Sequence, residues 1–197
     1  MSKEAYEKYL AAATSLYEKD QDEYLRKAIE ANYAKFQGNQ MYHGNTELSL
    51  DKAVDVIRYF AASSQVTNLY KVKLMKLMWY ADALAYKKRG TAITGLVYQA
   101  LPMGAVPIGH NSIIDLKDVP CEEVDMGETN AYHFSLNGEQ SFPALSEEEK
   151  SILDSVIEKL GRMSKTEIIN FMHKEKAYIS TAPRDVIQFQ YAESLQI

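Results

Sequence analysis

One carboxylate sits inside an apolar helical stripe. In the stretch KLMKLMWYADALAYKKRGTAITGLVYQALPMGAVP, from Lys73 to Pro107, Asp82 follows Trp79 by three residues, Met78 by four and Met75 by seven. That spacing puts it on their face of a helix. A carboxylate is buried there only when it is paired or hydrogen-bonded. Two roles suit it: an acceptor for backbone N–H groups of the following loop or a basic side chain, or an anchor for a partner in a groove. The first is favoured, because buried polar groups are as a rule satisfied internally. Asp82 is therefore expected to tie its helix to the turn at Ile93-Thr94-Gly95, and so to hold Tyr98–Pro107 in place.

The other chemically able residues form no constellation. His43, His110, His133 and His173 are scattered, with a single cysteine to help them, so neither a zinc site nor any other metal centre is expected. Cys121 stands between Pro120 and Glu122-Glu123, and neighbouring acids make a thiol a poor nucleophile. Gly104-Ala-Val-Pro-Ile-Gly109 has the glycine spacing of a phosphate loop, but His110-Asn111 stands where Lys-Ser/Thr is required. With no nucleophile elbow and no HExxH either, the expectation is no catalytic residue, no cofactor and no enzyme.

The elements that must position Asp82 can be read along the chain. Residues 3–36 lack Gly and Pro, and Tyr6, Leu10, Ala13, Tyr17, Tyr24, Ala28 and Ala31 recur at helical spacings. They predict a long Tyr-faced helix, bent or split into a hairpin at the polar run Glu18–Glu23. Gly38–Asn45 reads as a linker. Ser49 caps a helix over about 50–62, and the Asp82 helix spans about 68–88, closed by Lys87-Lys88-Arg89 and a C-cap at Gly90. Ile93–Leu101 suits a strand, and 122–125 and 131–136 suit two more, followed by the turn pair Asn137-Gly138. Between them Gly95, Pro102, Gly104 and Pro107 shape a rigid loop. Two capping boxes, Ser146–Glu149 and Ser164–Glu167, announce helices. Val186, Ile187 and Phe189 suit a short strand or extended tail. The fold class expected is α+β: a mostly helical domain over 46–197 with a small antiparallel sheet in its middle third. A long helix or hairpin, over 1–45, precedes it as an extension or connector.

Composition narrows the setting. The 197 residues, 46% hydrophobic and 25% charged, suit one globular domain. One cysteine, no secretory signal and no apolar run of roughly 18 residues predict a cytoplasmic protein with no membrane contact. The net charge of −5 hides polarity: Lys71–Arg89 holds six basic residues against one acid, while 118–149 holds nine acids and no Lys or Arg. Such polarity can steer a charged protein partner, although solvated faces are the commoner outcome. Nucleic-acid binding is not expected, because the lysines of 71–89 alternate with Leu74, Leu77, Met78 and Ala81, and the chain is acidic overall.

Several of these residues also carry a resemblance. Lys76-Leu-Met-Trp-Tyr-Ala-Asp82, Tyr86-Lys-Lys-Arg-Gly90, Ile93-Thr-Gly95, Tyr98-Gln-Ala100 and Gly104-Ala-Val-Pro107 resemble the ordered signature of the Panacea domain, the SocA-like antitoxin family. Its pattern runs approximately KLLYFAD, YKKYG, ITG, Y-x-A and GPVP. His173, Ala177-Tyr178, Ile187 and Tyr191 are similar to its closing region. The chain departs mildly, with Ala105 where the family often has Pro and Tyr178 where Trp is common.

The resemblance covers about residues 50–195. It implies a non-enzymatic bacterial or phage protein that binds and neutralises a cognate toxin, with some members similar to adaptors for an AAA+ protease. The partner-binding or motif residues it points to are Trp79, Tyr80, Asp82, Tyr86, Gly95, Tyr98, Pro102, Gly104 and Pro107. Aromatic anchors near Trp79, Tyr86 and Tyr98 would supply interface area, and the N-terminal helix a route to a homo-oligomer. The alternative is the C-terminal, partner-binding part of a transcriptional regulator whose DNA-binding module is absent from this chain.

Overall fold

A computed structural model describes residues 3–127 and 129–197, with the side chains of Ala5, Tyr6 and Tyr9 excluded. Tyr6, expected on the N-terminal helix's inner face, therefore lies outside the described side chains. The fold class is the one expected: mostly helical, with antiparallel strands in the middle and a long helix in front.

The N-terminal helix α1, Lys3–Tyr33, runs unbroken through Glu18–Glu23. The expected bend is absent, since that run holds no Gly or Pro and adds i,i+4 pairs such as Glu23–Lys27 and Asp22–Arg26. Between Lys3 and Gln21 every described side chain is exposed; only near its end does α1 bury Ile29 and Tyr33. The Tyr33 hydroxyl donates to the Ile108 carbonyl at 2.7 Å. A 3-10 turn at Ala34–Phe36 and the short α2, Gln40–His43, then lead into the body.

α3, Leu50–Ala62, starts where Ser49 accepts from Lys52 N, as its cap was expected to. α4, Lys71–Arg89, is the centre of the molecule: Lys73 through Ala85 are all buried. It ends on Gly90 at φ 77°, the left-handed cap predicted for that glycine. α6 Glu147–Leu160 and α7 Lys165–Met172 pack on it, while α5 His110–Ile114 lies against α1 and α8 Lys176–Ile179 against the C-terminal segment Phe189–Ser194. α6 and α7 both open with the anticipated capping boxes.

The strands correct the expectation in three ways. The first strand is shorter than 93–101: β1 covers Tyr98–Leu101, and Ile93–Val97 is instead a buried irregular loop. Gly104–Pro107, expected as a loop, is a strand, β2, fully buried and paired antiparallel with β1 from Tyr98↔Pro107 to Leu101↔Gly104. β3, Cys121–Asp125, and β4, Asn130–Phe134, form a second, separate two-stranded sheet. The tail does extend along β1. Arg184 N donates to Ala100 O, Ala100 N to Asp185 O and Ile187 N to Tyr98 O, while Phe189–Ser194 coils into a 3-10 helix.

Candidate functional site

Asp82 is fully buried, and four groups donate to its carboxylate. Ile93 N and Thr94 N reach Oδ1 at 2.8 Å each, while the Thr94 hydroxyl and the Tyr98 hydroxyl, the latter at 2.7 Å, reach Oδ2. This is the tie to the Ile93-Thr94-Gly95 turn. Burial raises the Asp82 carboxyl above its ordinary value, and the four donors act in the opposite sense. Tyr98 is pushed up by burial and then by the Asp82 charge, so its hydroxyl stays a donor. Gly95 sits at φ 71°, where a Cβ would stand 2.4 Å from the Glu47 carbonyl oxygen. No other residue fits that passage.

The aromatic motif residues pack inward. Trp79 meets the Tyr98 ring at 5.2 Å edge-on and the Phe189 ring at 5.3 Å, and its indole N–H has no acceptor among the described residues. Tyr80 donates to Glu175 Oε1 at 3.3 Å, and Tyr86 rests against Phe189. Of the nine residues singled out, Trp79, Tyr80, Asp82, Gly95, Tyr98, Gly104 and Pro107 are buried, Tyr86 is half-buried, and Pro102 alone is exposed. The expected ledge of aromatic anchors is thus turned to the interior. An amphipathic surface helix would show Trp79 or Tyr80 on its outer side, but α4 is enclosed all round.

What reaches the surface is the tip of the β1–β2 hairpin, and it is held stiffly. Pro102 and Met103 make the turn, and Gly104 closes it at φ 111°. His173 Nε2 donates to Pro102 O at 3.1 Å, and the Tyr178 hydroxyl to Leu101 O at 3.1 Å. The two rings stack at 4.5 Å, 14° from parallel. Met103, 45% exposed, and Ile179, 68% exposed, stand beside this brace as large apolar side chains in solvent.

The basic stretch 71–89 is largely not a solvated face. Lys73 is buried and donates to Thr67 O and, at 2.6 Å, to Gly161 O at the end of α6. Lys87 donates to Leu195 O at 2.7 Å, and Arg89 to Glu149 at 3.0 Å. Lys71 bonds Asn111 and lies over the Tyr132 ring. Burial pulls Lys73 and Lys76 down to about 8. Sequence reasoning missed Lys73 and Lys76 as interior residues. The signal was there, since Lys76 lies three residues before Trp79 and four before Tyr80, on their face.

Cys121 is half-buried, and burial, then Asp115, pushes its thiol up. Among the described residues no group of three or more His, Cys, Asp or Glu converges as metal ligands do. Among the described residues no helix is long and apolar enough to cross a membrane. A cavity of about 750 Å³ opens between the end of α1, residues 43–48 and Gly95–Val97. His43 lines it, and both its ring nitrogens lack partners among the described residues.

The fold, then, is a core helix whose aspartate and aromatics brace a short hairpin. The family model described as "Antitoxin SocA-like, Panacea domain" matches residues 74–178, more than half of the 197-residue chain. The chain belongs to that family. No curated protein and no solved structure matches it.

Proposed function

We propose that the chain is a cytoplasmic antitoxin that neutralises a toxin by direct protein–protein contact, without catalysis. The observation that carries the reading is the braced hairpin tip. Pro102 and Met103 are exposed, and the chain entering their turn is gripped at the Leu101 and Pro102 carbonyls by Tyr178 and His173, with Ile179 alongside. A stiff apolar projection loses little conformational entropy on binding, which favours affinity. The buried motif residues act behind the surface, by holding that tip.

Co-expression with the product of the neighbouring gene tests this. That product is expected to arrest growth alone and to be harmless with the antitoxin. If the neighbour is not toxic alone, or stays toxic beside the antitoxin, the reading fails. In the same reading the toxin is handed to an AAA+ protease, so its half-life shortens when antitoxin and protease are both present. An unchanged half-life removes the adaptor role and leaves simple occlusion.

Exposed Leu10, Tyr17 and Tyr24 recur every seven residues along α1, which supports self-association through that helix. Tyr17→Glu is then expected to lower the sedimentation mass. A monomeric parent chain would contradict this.

A further inference from the structure

Extended chain covers two of the strand edges in this fold. The tail lies along the outer edge of β1, with Ile187 N donating to Tyr98 O at 2.8 Å. Leu69 and Tyr70 lie along the outer edge of β4, with Phe134 N donating to Leu69 O at 2.9 Å. β3 has β4 on one side and, among the described residues, no strand on the other. Its Glu122, Glu123 and Asp125 are exposed.

The register fixes which backbone groups this open edge presents. In an antiparallel pair, residues that exchange N–H···O bonds with the partner alternate with residues whose N–H and C=O point away. Met126 N donates to Thr129 O at 3.0 Å at the end of the β3–β4 ladder, so Val124 and Glu122 are bonded to β4. Glu123 and Asp125 therefore turn their N–H and C=O groups outward. Phe134, opposite Cys121, sends its own N–H away from β3 to Leu69, which gives the same phase. The edge ends at Cys121, whose N–H folds back onto Val119 O at 2.9 Å. Among the described residues nothing accepts from Glu123 N or Asp125 N.

We propose that the outer edge of β3 receives an extended segment of the protein partner with Lys or Arg on both of its faces, which adds a third strand to the β3–β4 sheet. The proposal rests on the partner-binding reading above and gives the partner a second contact besides the β1–β2 tip. Main-chain bonds to an open edge supply affinity, and the side chains beside it supply selection. Glu122 alternates with Val124 and the exposed Met126 on one face of β3, and Glu123 with Asp125 on the other. Glu123 accepts from the Asn130 amide at 2.6 Å and Asp125 from Gly127 N at 2.7 Å, and no Lys or Arg among the described residues pairs with these acids. Lys71, beside Cys121 at the foot of the strand, is engaged by Asn111 and Tyr132. A second copy of this edge would set acid against acid, which disfavours self-pairing. A basic strand sets opposite charges together on both faces, with Val124 and Met126 open to apolar contact between them.

The test is Glu123→Pro, which removes an N–H that β4 does not use and puts a ring in the path of an added strand. The variant is expected to melt within a few degrees of the parent and to bind the neighbouring gene's toxin at least tenfold more weakly by calorimetry. Affinity within twofold of the parent overturns the proposal. The double variant Glu122→Gln, Asp125→Asn keeps the backbone edge and is expected to weaken binding and flatten its salt dependence. An unchanged salt dependence overturns the choice of a basic segment. Should Glu123→Pro not fold, amide exchange of the parent by NMR decides. The Glu123 and Asp125 amides are expected to exchange fast in the free chain and at least tenfold more slowly in the toxin complex, while those of Glu122 and Val124 are slow in both. Fast exchange at Glu123 and Asp125 in the complex overturns the proposal, and so does slowing in the free chain as its own concentration rises, which would put a second copy on the edge. If the parent binds no toxin, the antitoxin reading fails while a Lys-Lys-Val-Lys-Lys peptide still decides the edge. That peptide is expected to shift the Glu123 and Asp125 amide resonances, and Glu-Glu-Val-Glu-Glu to leave them in place. Equal shifts with both peptides, or none with either, overturn the proposal.

Discussion

Asp82 and Tyr98, sixteen residues apart, are joined by a buried hydrogen bond of 2.7 Å that fastens the central helix to the first strand of the hairpin. Tyr98 in turn pairs with Pro107 across the hairpin and packs edge-on against Trp79. Three parts of the signature thus meet through one carboxylate, and the exposed tip inherits its position from them.

Removing that carboxylate strands its donors. Asp82→Ala leaves two backbone N–H groups and two hydroxyls without their acceptor in a dry interior. A loss of about 3–5 kcal/mol in urea unfolding is expected. A loss below about 1 kcal/mol would mean the loop finds other acceptors.

Gly95→Ala meets two obstacles at once: a left-handed φ of 71° and a Glu47 carbonyl oxygen 2.4 Å from the new Cβ. The expected cost is at least about 3 kcal/mol by the same measurement. Gly90→Ala, also at positive φ but with open space around it, should cost only about 1 kcal/mol.

Acid should weaken the contact of α6 with α3 and α4. Burial pushes Glu149 up, but Lys52, the Ser146 N–H and Arg89 outweigh it and hold the carboxyl below its ordinary value of 4.5. A carboxylate depressed in the folded state stabilises above its unfolded pKa, and that stability is lost as pH falls through the folded value. The stability gap between the parent and Glu149→Gln is therefore expected to be largest near neutrality and to shrink below about pH 4.5. A gap independent of pH would contradict the assignment.

Alkali should act the other way. Lys73 and Lys76 titrate near 8 when folded and near 10.4 when unfolded. Between those values the unfolded chain holds more protons, so stability rises with pH. The urea midpoint at pH 9.5 is expected to exceed that at pH 7.5. Above about pH 10 the trend reverses, because burial and then Asp154 raise Tyr59 to about 12 and the unfolded tyrosine ionises first.

How much of this the sequence announced depended on the kind of signal. The Asp82 tie was legible because a carboxylate amid Met75, Met78 and Trp79 has few ways to be satisfied, and a glycine turn follows nearby. The caps at Ser49, Gly90, Ser146 and Ser164 were legible because each satisfies local backbone groups. β2 was not, because four residues bounded by Gly104 and Pro107 look like a loop until their partner strand is known. The inward turn of Lys73 depends on the carbonyl of Gly161, which periodicity cannot show, whereas that of Lys76 could have been read from its spacing to Trp79 and Tyr80. The brace of His173 and Tyr178 on Pro102 joins residues more than seventy positions apart, beyond any local pattern.

The central claim is that the hairpin tip is the face the toxin meets. It is tested most directly by the double variant Met103→Glu, Ile179→Glu, assayed for rescue of cells expressing the neighbouring gene's toxin. Both side chains are exposed, so the variant is expected to melt within a few degrees of the parent and to lose rescue. Full rescue by a folded double variant would contradict the account.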